Sequence, residues 1–255
     1  MLVLDDENVS YFLCATVIGH LLLNRILAIS LRDHKAYGRA FGSYQTKYWS
    51  FLHSMFIQLF VFVPLGFMVF LHYDFNIIKL RSSSVAKGYS PYTRALSYNI
   101  IAYMLSTLEN CWPHWDLLLH HIGGFSTTLL FLYEDDSLDI YLLGIVCLEI
   151  GSFTMNFVEL VKGTLEENTG HQTRGSAYSY YERWLNVLNT LVFTVGHIFG
   201  AWCVHEIVFV QEGRTNSIYF RYWFLFQSVN IIALRQKAVV SPFFYQIEED
   251  KGKIE

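Results

Sequence analysis

Charged residues are scarce in this sequence and unevenly spread. Only 16% of its 255 residues are Asp, Glu, Lys or Arg, well below the roughly 25% of soluble domains. None lies between Lys47 and Asp74, which leaves 26 uncharged residues in a row, and a helix that crosses a bilayer core needs only about 20. The scarcity of charge therefore argues against a soluble helical protein and indicates a membrane protein.

The sequence predicts neither a thiolate metal site nor a cleavable leader. The four cysteines form no C-x-x-C pair, so we do not expect a thiolate zinc site. The first apolar run has no basic start and is long enough to be a membrane anchor, which a signal peptide is not. Internal repeats are also absent, and we expect a single membrane domain.

Seven apolar segments predict an all-α fold, a polytopic bundle of about seven transmembrane helices. They are residues 10–31, 48–73, 91–108, 117–133, 140–161, 184–205 and 218–234. The predicted organisation has three parts: an N-terminal tail with the first span and first cytosolic loop, a central membrane domain, and a short cytosolic tail. These parts cover residues 1–46, 47–235 and 236–255.

The distribution of Lys and Arg predicts an N-out, C-in orientation. With seven spans and the N-terminus outside, eleven Lys and Arg of the loops and tails lie on the cytoplasmic side and five lie outside. The positive-inside rule favours this arrangement over its inverse. Four of the five outside residues lie in the second loop, and their position argues against this orientation.

Short sequences at the two ends agree with this orientation. Asn8-Val9-Ser10 is an acceptor for N-glycosylation, which requires a lumenal N-terminus. The chain ends in KGKIE, and Lys251 and Lys253 resemble the cytosolic Lys-x-Lys-x-x signal that returns membrane proteins to the endoplasmic reticulum. A solvated charged tail is the alternative interpretation. The predicted location is the endoplasmic reticulum membrane.

The stretch HWDLLLHHIGG places ionisable residues where the chain enters an apolar segment. At membrane depth such residues usually face the bundle interior or a cavity. Asp116 and His120 are four residues apart and share a helix face, so the carboxylate could fix the tautomer of the imidazole. His121 lies about 100° further round the helix. Gly124 and Thr128 continue the side of the helix that His121 occupies.

Polar residues also recur along one side of the fifth and sixth spans. The fifth span carries Glu149, Ser152, Asn156 and Glu159, and the sixth carries Asn186, Asn189 and His197. Residues at these spacings share a helix face, so we predict a polar centre inside an apolar bundle. The catalytic candidates are His120, His121, Glu149 and Asp116, and the lipid-binding candidates are Gly124, Thr128, Ser152, Asn156 and His197. Interhelical hydrogen bonds of roughly 0.6 to 2 kcal/mol each are the alternative role for such side chains.

The chemistry open to this centre is limited. Imidazole and carboxylate can bind a metal, but membrane di-iron enzymes use several histidine boxes and this sequence has one adjacent His pair. Nothing fixes a haem between His197 and His205. We therefore expect no metal and no bound cofactor. Acyl or proton transfer remains, with a histidine as base or nucleophile that Glu149 orients.

The same residues resemble those of a known family. HHIGGFSTTLLFLY, followed 28 residues after His121 by Glu149-x-x-Ser152-x-x-x-Asn156, is similar to the TLC domain. That domain is named for translocation-associated membrane proteins, longevity-assurance proteins and a neuronal ceroid lipofuscinosis protein. The resemblance covers about residues 47–235. It implies a bundle of six to eight helices, located mostly in the endoplasmic reticulum.

The resemblance also implies a function. The family's ceramide synthases join an acyl-CoA to a sphingoid base and require their His pair, a role that the resemblance carries over to His120 and His121. Their downstream H-D-x-x-D run is not matched here, where the sequence reads CLEIGSF. Relatives with the Glu and Asn pattern are linked to lipid homeostasis. The expected function is therefore the control of membrane lipid composition, whether of sphingolipids and ceramide or of phospholipids.

Two alternatives to this function stay open. One is an acyl-CoA-dependent N-acyltransferase of the ceramide synthase type, with acyl-CoA as co-substrate, and the other is a non-catalytic trafficking or cargo protein. A seven-helix receptor is not expected, because the third and seventh spans lack the Asp/Glu-Arg-Tyr and Asn-Pro-x-x-Tyr motifs. The expected partners are membrane lipids and not nucleic acid, and a homo-oligomer is left open.

Overall fold

In the residues that it describes, the computed structural model of the chain is helical apart from short turns and one very short ladder. It describes residues 6–34, 37, 40–41, 46–82, 90–111, 114–134, 138–169, 176–210, 221–229 and 231–233. The ladder pairs β1 (Ala40–Phe41) with β2 (Thr46–Lys47) in antiparallel register. The all-α class predicted from the sequence is therefore confirmed.

Nine α-helices and a final helical segment build the described part of the chain. They are α1 (Asp6–Ser30), α2 (Tyr48–Ile57), α3 (Val63–His72), α4 (Ile77–Ser82), α5 (Pro91–Ser106), α6 (Leu108–Cys111), α7 (Trp115–Glu134), α8 (Leu138–Thr169) and α9 (Ser176–His205). The final helix comprises residues 221–229 and 231–233. A π-helical turn, Glu206–Val210, extends α9.

A second π-helical turn, Gln58–Phe62, joins α2 and α3 into one rod. Pro64 follows it in the first turn of α3. Because proline has no N–H to donate to the carbonyl four residues earlier, the helix must alter its bonding just before it. π-Helical turns are rare in proteins, and those that occur are frequently found at functional sites. This one turns a glutamine toward the bundle interior, where Gln58 is buried.

Among the residues that the structure describes, four helices are long and apolar enough to cross a membrane, and this indicates a membrane protein. They are Ser10–Ser30, Tyr48–His72, Leu138–Val161 and Arg183–Val210, and they match the first, second, fifth and sixth predicted spans. The third and seventh predicted spans are helical where the structure describes them, and the fourth has a shorter apolar stretch, Leu117–Leu132. The count of seven spans and the N-out orientation stay predictions.

The 16-residue helix α5 forms the centre of the bundle. Six of its side chains are completely buried, namely Thr93, Leu96, Ser97, Ile100, Ile101 and Ala102. The start of the helix is fixed locally, because the hydroxyl of Ser90 accepts a hydrogen bond from the backbone N–H of Tyr92, and Pro91 takes the first-turn position that suits it. A polar contact holds the same end of the bundle: Asp139 of α8 accepts hydrogen bonds from Thr93 at 2.6 Å and from the hydroxyl of Tyr73.

Helices α8 and α9 approach each other closely through glycine. A Cβ built on Gly196 would lie 2.5 Å from the carbonyl oxygen of Cys147, so the two backbones touch where any side chain would separate them. Small residues permit this kind of packing between membrane helices. The contact fixes α8 and α9 as a pair and positions the polar stripe of α8 against the rest of the bundle.

Candidate functional site

A cavity of about 70 Å³ opens between α7, α8, α9 and the final helix. One water needs roughly 10 to 15 Å³ of such space, so the cavity is several times larger than a single water site. Most of its wall is apolar, and four glycines contribute to it: Gly123, Gly124, Gly144 and Gly200. The polar residues of the lining include His120, Thr127, Tyr141, Glu149, Gln227 and Ser228.

The two adjacent histidines of α7 have different surroundings. His120 lines the cavity, whereas His121 is buried beside α5. The Nδ1 atom of His121 lies 3.0 Å from the hydroxyl oxygen of Thr107 and 3.4 Å from the carbonyl oxygen of Met104. Because the Thr107 hydroxyl donates its hydrogen to Tyr103 at 2.7 Å, its oxygen accepts from His121. This network assigns the proton of His121 to Nδ1.

Glu149 reaches the cavity from the middle of α8 and is buried. Its Oε2 atom accepts a hydrogen bond of 2.7 Å from the side-chain amide of Gln58. The oxygen of the same amide lies 3.4 Å from the Nδ2 atom of Asn156, which donates to it. Gln58 thus holds the carboxylate of Glu149 in place, as a buried acidic group at membrane depth requires.

Sequence reasoning missed Gln58 as a member of this group. The available signal was its position, since it is a polar residue in the middle of the uncharged second span and comes six residues before Pro64. Composition alone does not identify an uncharged residue in an apolar run as part of a functional site. Its partner is 91 residues further along the chain, so no local spacing could have identified the pair.

The structure brings some of the predicted site residues together and separates others. His120, Gly124 and Glu149 line one cavity. Thr128 stands next to it and hydrogen-bonds the hydroxyl of Tyr141 at 2.8 Å. The other predicted lipid-binding residues, Ser152, Asn156 and His197, do not line this cavity.

These outlying residues have contacts of their own. Ser152 donates to the backbone of its own helix at Leu148, and His197 packs edge-on against Phe193 with 4.2 Å between the ring centres. Of the residues expected to make interhelical hydrogen bonds, Asn189 accepts one from Thr154 of α8 at 3.0 Å. The side chain of Asp116 lies outside the described residues.

Neither a metal centre nor a reactive thiol is evident near the His pair. In the part of the chain that the structure describes, no three His, Cys, Asp or Glu side chains stand close enough to hold a metal ion together. Cys111 is buried below α7, and its Sγ donates to the carbonyl oxygen of Thr107 at 3.3 Å. Burial raises the pKa of the Cys111 thiol to about 12, so it is protonated at neutral pH and is a poor nucleophile.

Comparison with family models, with curated protein sequences and with solved structures finds no match for this chain. The resemblance to the TLC domain therefore stays a prediction that rests on the residues quoted above.

Proposed function

We propose that this protein is a multi-pass membrane protein of the TLC type that binds an acyl lipid in the cavity and thereby contributes to membrane lipid homeostasis. The observation that carries the proposal is the meeting of His120 and Glu149, from two different helices, on the wall of one mostly apolar cavity. Ligand sites typically combine an apolar lining with a few well-placed polar groups. The acyl chain lies along the apolar wall, and its polar end faces the imidazole and the carboxylate.

Acyl transfer is the second candidate function. His120 is the histidine that faces the cavity, while the neighbouring His121 is committed to Thr107 and Met104. A histidine in such a position can take the proton of an attacking amine or hydroxyl, and Glu149 can stabilise the imidazolium that results. Acyl-CoA would then be the co-substrate, and the CoA thiol would leave. The TLC resemblance favours an amine acceptor.

The proposed membrane arrangement is seven spans with the N-terminus outside. The Lys and Arg count supports the orientation, and aromatic residues support the ends of the spans, because exposed Trp and Tyr collect at both membrane surfaces. Trp115 is exposed near the start of α7 and Trp184 near the start of the apolar part of α9, and Tyr11 and Tyr222 are exposed near the starts of the first and last spans. With seven alternating spans, the first pair falls at the cytoplasmic surface and the second pair at the lumenal surface. The proposed location in the endoplasmic reticulum rests on the KGKIE end, which lies outside the described residues.

Photoaffinity labelling tests lipid binding directly. Cells that express the protein receive a fatty acid with a photoreactive group and an alkyne, and after irradiation the labelled peptides are identified by mass spectrometry. We expect label on the cavity walls, at residues such as Met104, Ile145 and Ile231. Label spread evenly over the lipid-facing side chains would contradict the proposal.

A matched pair of variants sharpens this experiment. Gly124→Leu fills the cavity, and the nearest neighbour of a new Cβ there is the flexible end of Met104 at 3.2 Å. Gly19→Leu makes the same change in α1, where nothing lies within 4 Å. We expect labelling of the cavity to fall roughly tenfold in the first variant, which corresponds to about 1.4 kcal/mol of lost affinity, and to stay unchanged in the second.

A further inference from the structure

The two residues of helix α1 that are most deeply buried against the bundle are polar. Over residues 10–30, His20 and Asn24 are the only buried positions, each 5% exposed. They are one helical turn apart and therefore share a face. Membrane helices usually place apolar or small residues at such contacts, and ionisable residues at membrane depth are commonly functional. This pair is separate from the cavity of α7, α8 and α9.

A second histidine lies opposite His20. His53 of α2 is 0% exposed, and its ring centre is 5.7 Å from that of His20, with the two rings nearly perpendicular. Neither ring nitrogen of His53 has a hydrogen-bond partner among the described residues. A buried imidazole that leaves both nitrogens unsatisfied is costly, and each such group calls for an explanation.

The hydrogen bonds of Asn99 identify which atoms lack a donor. Its Nδ2 donates to the carbonyl oxygen of Ala95 at 2.8 Å, so its Oδ1 is the acceptor that faces Nε2 of His20 at 3.1 Å. His20 is therefore protonated on Nε2 and presents a lone pair on Nδ1. The Oδ1 of Asn24 also lacks a donor among the described residues. Neutral His53 has a lone pair on one of its ring nitrogens. Together with Nδ1 of His20 and Oδ1 of Asn24, this makes three buried acceptor atoms that have no donor among the described residues.

We propose that His20, His53 and Asn24 form a binding site for one late first-row transition-metal ion between α1, α2 and α5. Metal–nitrogen bonds of about 2.0 to 2.1 Å place the centres of two imidazole rings on one ion roughly 5 to 6 Å apart, and the two rings have this separation. The hydrogen bond from His20 to Asn99 repeats a feature of metal-binding histidines, which donate their second N–H to an oxygen that fixes the ring. The unsatisfied atoms are closed to a molecule the size of water, so a bare ion suits them better than water or a lipid headgroup.

Charge selects among the ions that imidazole binds. No Cys, Asp or Glu joins the two histidines within the described part of the chain, so the ligand set of two nitrogens and an amide oxygen is neutral. The ion's charge then stays uncompensated at membrane depth, which is less costly for a monovalent ion than for a divalent one. Among the metals that imidazole binds, which include zinc, copper, iron and nickel, copper is the one with a readily accessible monovalent state. The structure assigns copper(I) as the preferred ion.

Competition with a copper(I) chelator tests the site. The protein is purified in detergent with an affinity tag that contains no histidine, and is titrated with copper(I) against bathocuproine disulfonate in the presence of ascorbate. We expect one copper(I) per chain, and weaker binding of zinc in equilibrium dialysis. His20→Phe and His53→Phe should abolish copper binding. Asn99→Leu, which removes the support of His20, should weaken it by about 10- to 100-fold.

Two control variants separate this site from the cavity. His72→Phe changes an exposed histidine of α3, and His120→Ala truncates the histidine that lines the cavity. Both should bind copper(I) as the unaltered protein does. The proposal is overturned by an unaltered protein that binds neither metal, by tighter binding of zinc than of copper(I), or by copper binding that is lost in His120→Ala and kept in His53→Phe.

If the phenylalanine variants do not fold, X-ray absorption of the copper-loaded unaltered protein identifies the atoms that bind the copper. Two imidazole rings on the ion give a nitrogen and oxygen first shell with the outer-shell scattering typical of histidine. Sulfur in the first shell would place the copper on cysteine and overturn the assignment.

Discussion

The side-chain amide nitrogen of Gln58 lies 2.7 Å from Oε2 of Glu149, and this contact joins the second span to the middle of α8. Gln58 belongs to the π-helical turn that precedes Pro64, and both partners are buried. The extra residue in a π-helical turn changes which side chains face a neighbouring helix. We infer that the proline-induced irregularity of the second span places the amide where it stabilises the cavity carboxylate.

Replacing Gln58 with Leu should destabilise the protein by about 1.5 to 3 kcal/mol, the range for a hydrogen bond to a charged group. Glu149→Leu should also lower stability, because it leaves the amide without its acceptor. The double variant should lose less than the sum of the two, with a coupling of roughly 0.5 to 3 kcal/mol for residues in one network. Melting in detergent, followed by circular dichroism, measures all three. Additive losses would mean that the two side chains do not interact, and Phe60→Leu, at an exposed position of the same turn, serves as the control.

Gly196→Ala should destabilise the protein by about 1 to 3 kcal/mol, the usual cost of overpacking. The added methyl group would meet the carbonyl oxygen of Cys147 at 2.5 Å, and a backbone atom cannot rotate away as a side chain can. Gly19→Ala is the matched control, because nothing lies within 4 Å of its new Cβ. That change should be neutral or stabilise by up to about 1 kcal/mol through helix propensity. Equal melting temperatures for the two variants would show that α8 and α9 are further apart than described.

Sequence patterns predicted the parts of this fold that depend on local chemistry. The uncharged run that begins at Tyr48 predicted a span, and the structure has a helix long enough to cross a membrane over Tyr48–His72. The helical period also placed Glu149 on an inward face, and it is buried. Both features depend on the transfer of apolar residues out of water. The local sequence of each segment determines this transfer, so it can be predicted without knowing which segments pack together.

Features that depend on two distant segments were not accessible from sequence. The adjacent histidines of α7 must face different ways, since they are about 100° apart on the helix. The sequence does not show which of them lines the cavity and which bonds Thr107, because this depends on where the other helices lie. His197 was predicted to join the centre because it shares a face with Asn186, yet it packs on Phe193. Gln58, in turn, finds its partner in α8 through a contact that no spacing encodes.

Glycosylation tags at the two ends test the proposed orientation. A tag placed ahead of Met1 on a longer spacer should be modified, because the N-terminus of an N-out protein lies in the lumen. The same tag after Glu255 should stay unmodified. The measurement is the shift in electrophoretic mobility with and without a glycosidase. Modification at both ends would require an even number of spans and would exclude seven.

The His pair gives the most direct test of the proposed function, because its two members should fail in different ways. His120→Ala should remove the lipid change that the protein produces, measured by lipid analysis of membranes with and without it. The amount and melting temperature of this variant should stay close to normal, since His120 borders a cavity that tolerates a smaller side chain.

His121→Ala should instead lower stability, on the order of 1 to 3 kcal/mol, because the substitution removes a buried ring and its bond to Thr107. Thr107→Val removes the same bond from the other side and should lower stability in the same direction, with His120 left intact. If His120→Ala proves unstable while His121→Ala is stable and inactive, the roles assigned to the two rings are reversed. If both are stable and active, the lipid site lies elsewhere.

If His120→Ala is stable and inactive, Glu149→Gln separates the two remaining functions. Glutamine keeps the shape of the side chain but carries no charge, so a loss of the lipid change indicates acyl transfer with an electrostatic role for the carboxylate. Its retention indicates that the cavity binds the lipid without chemistry.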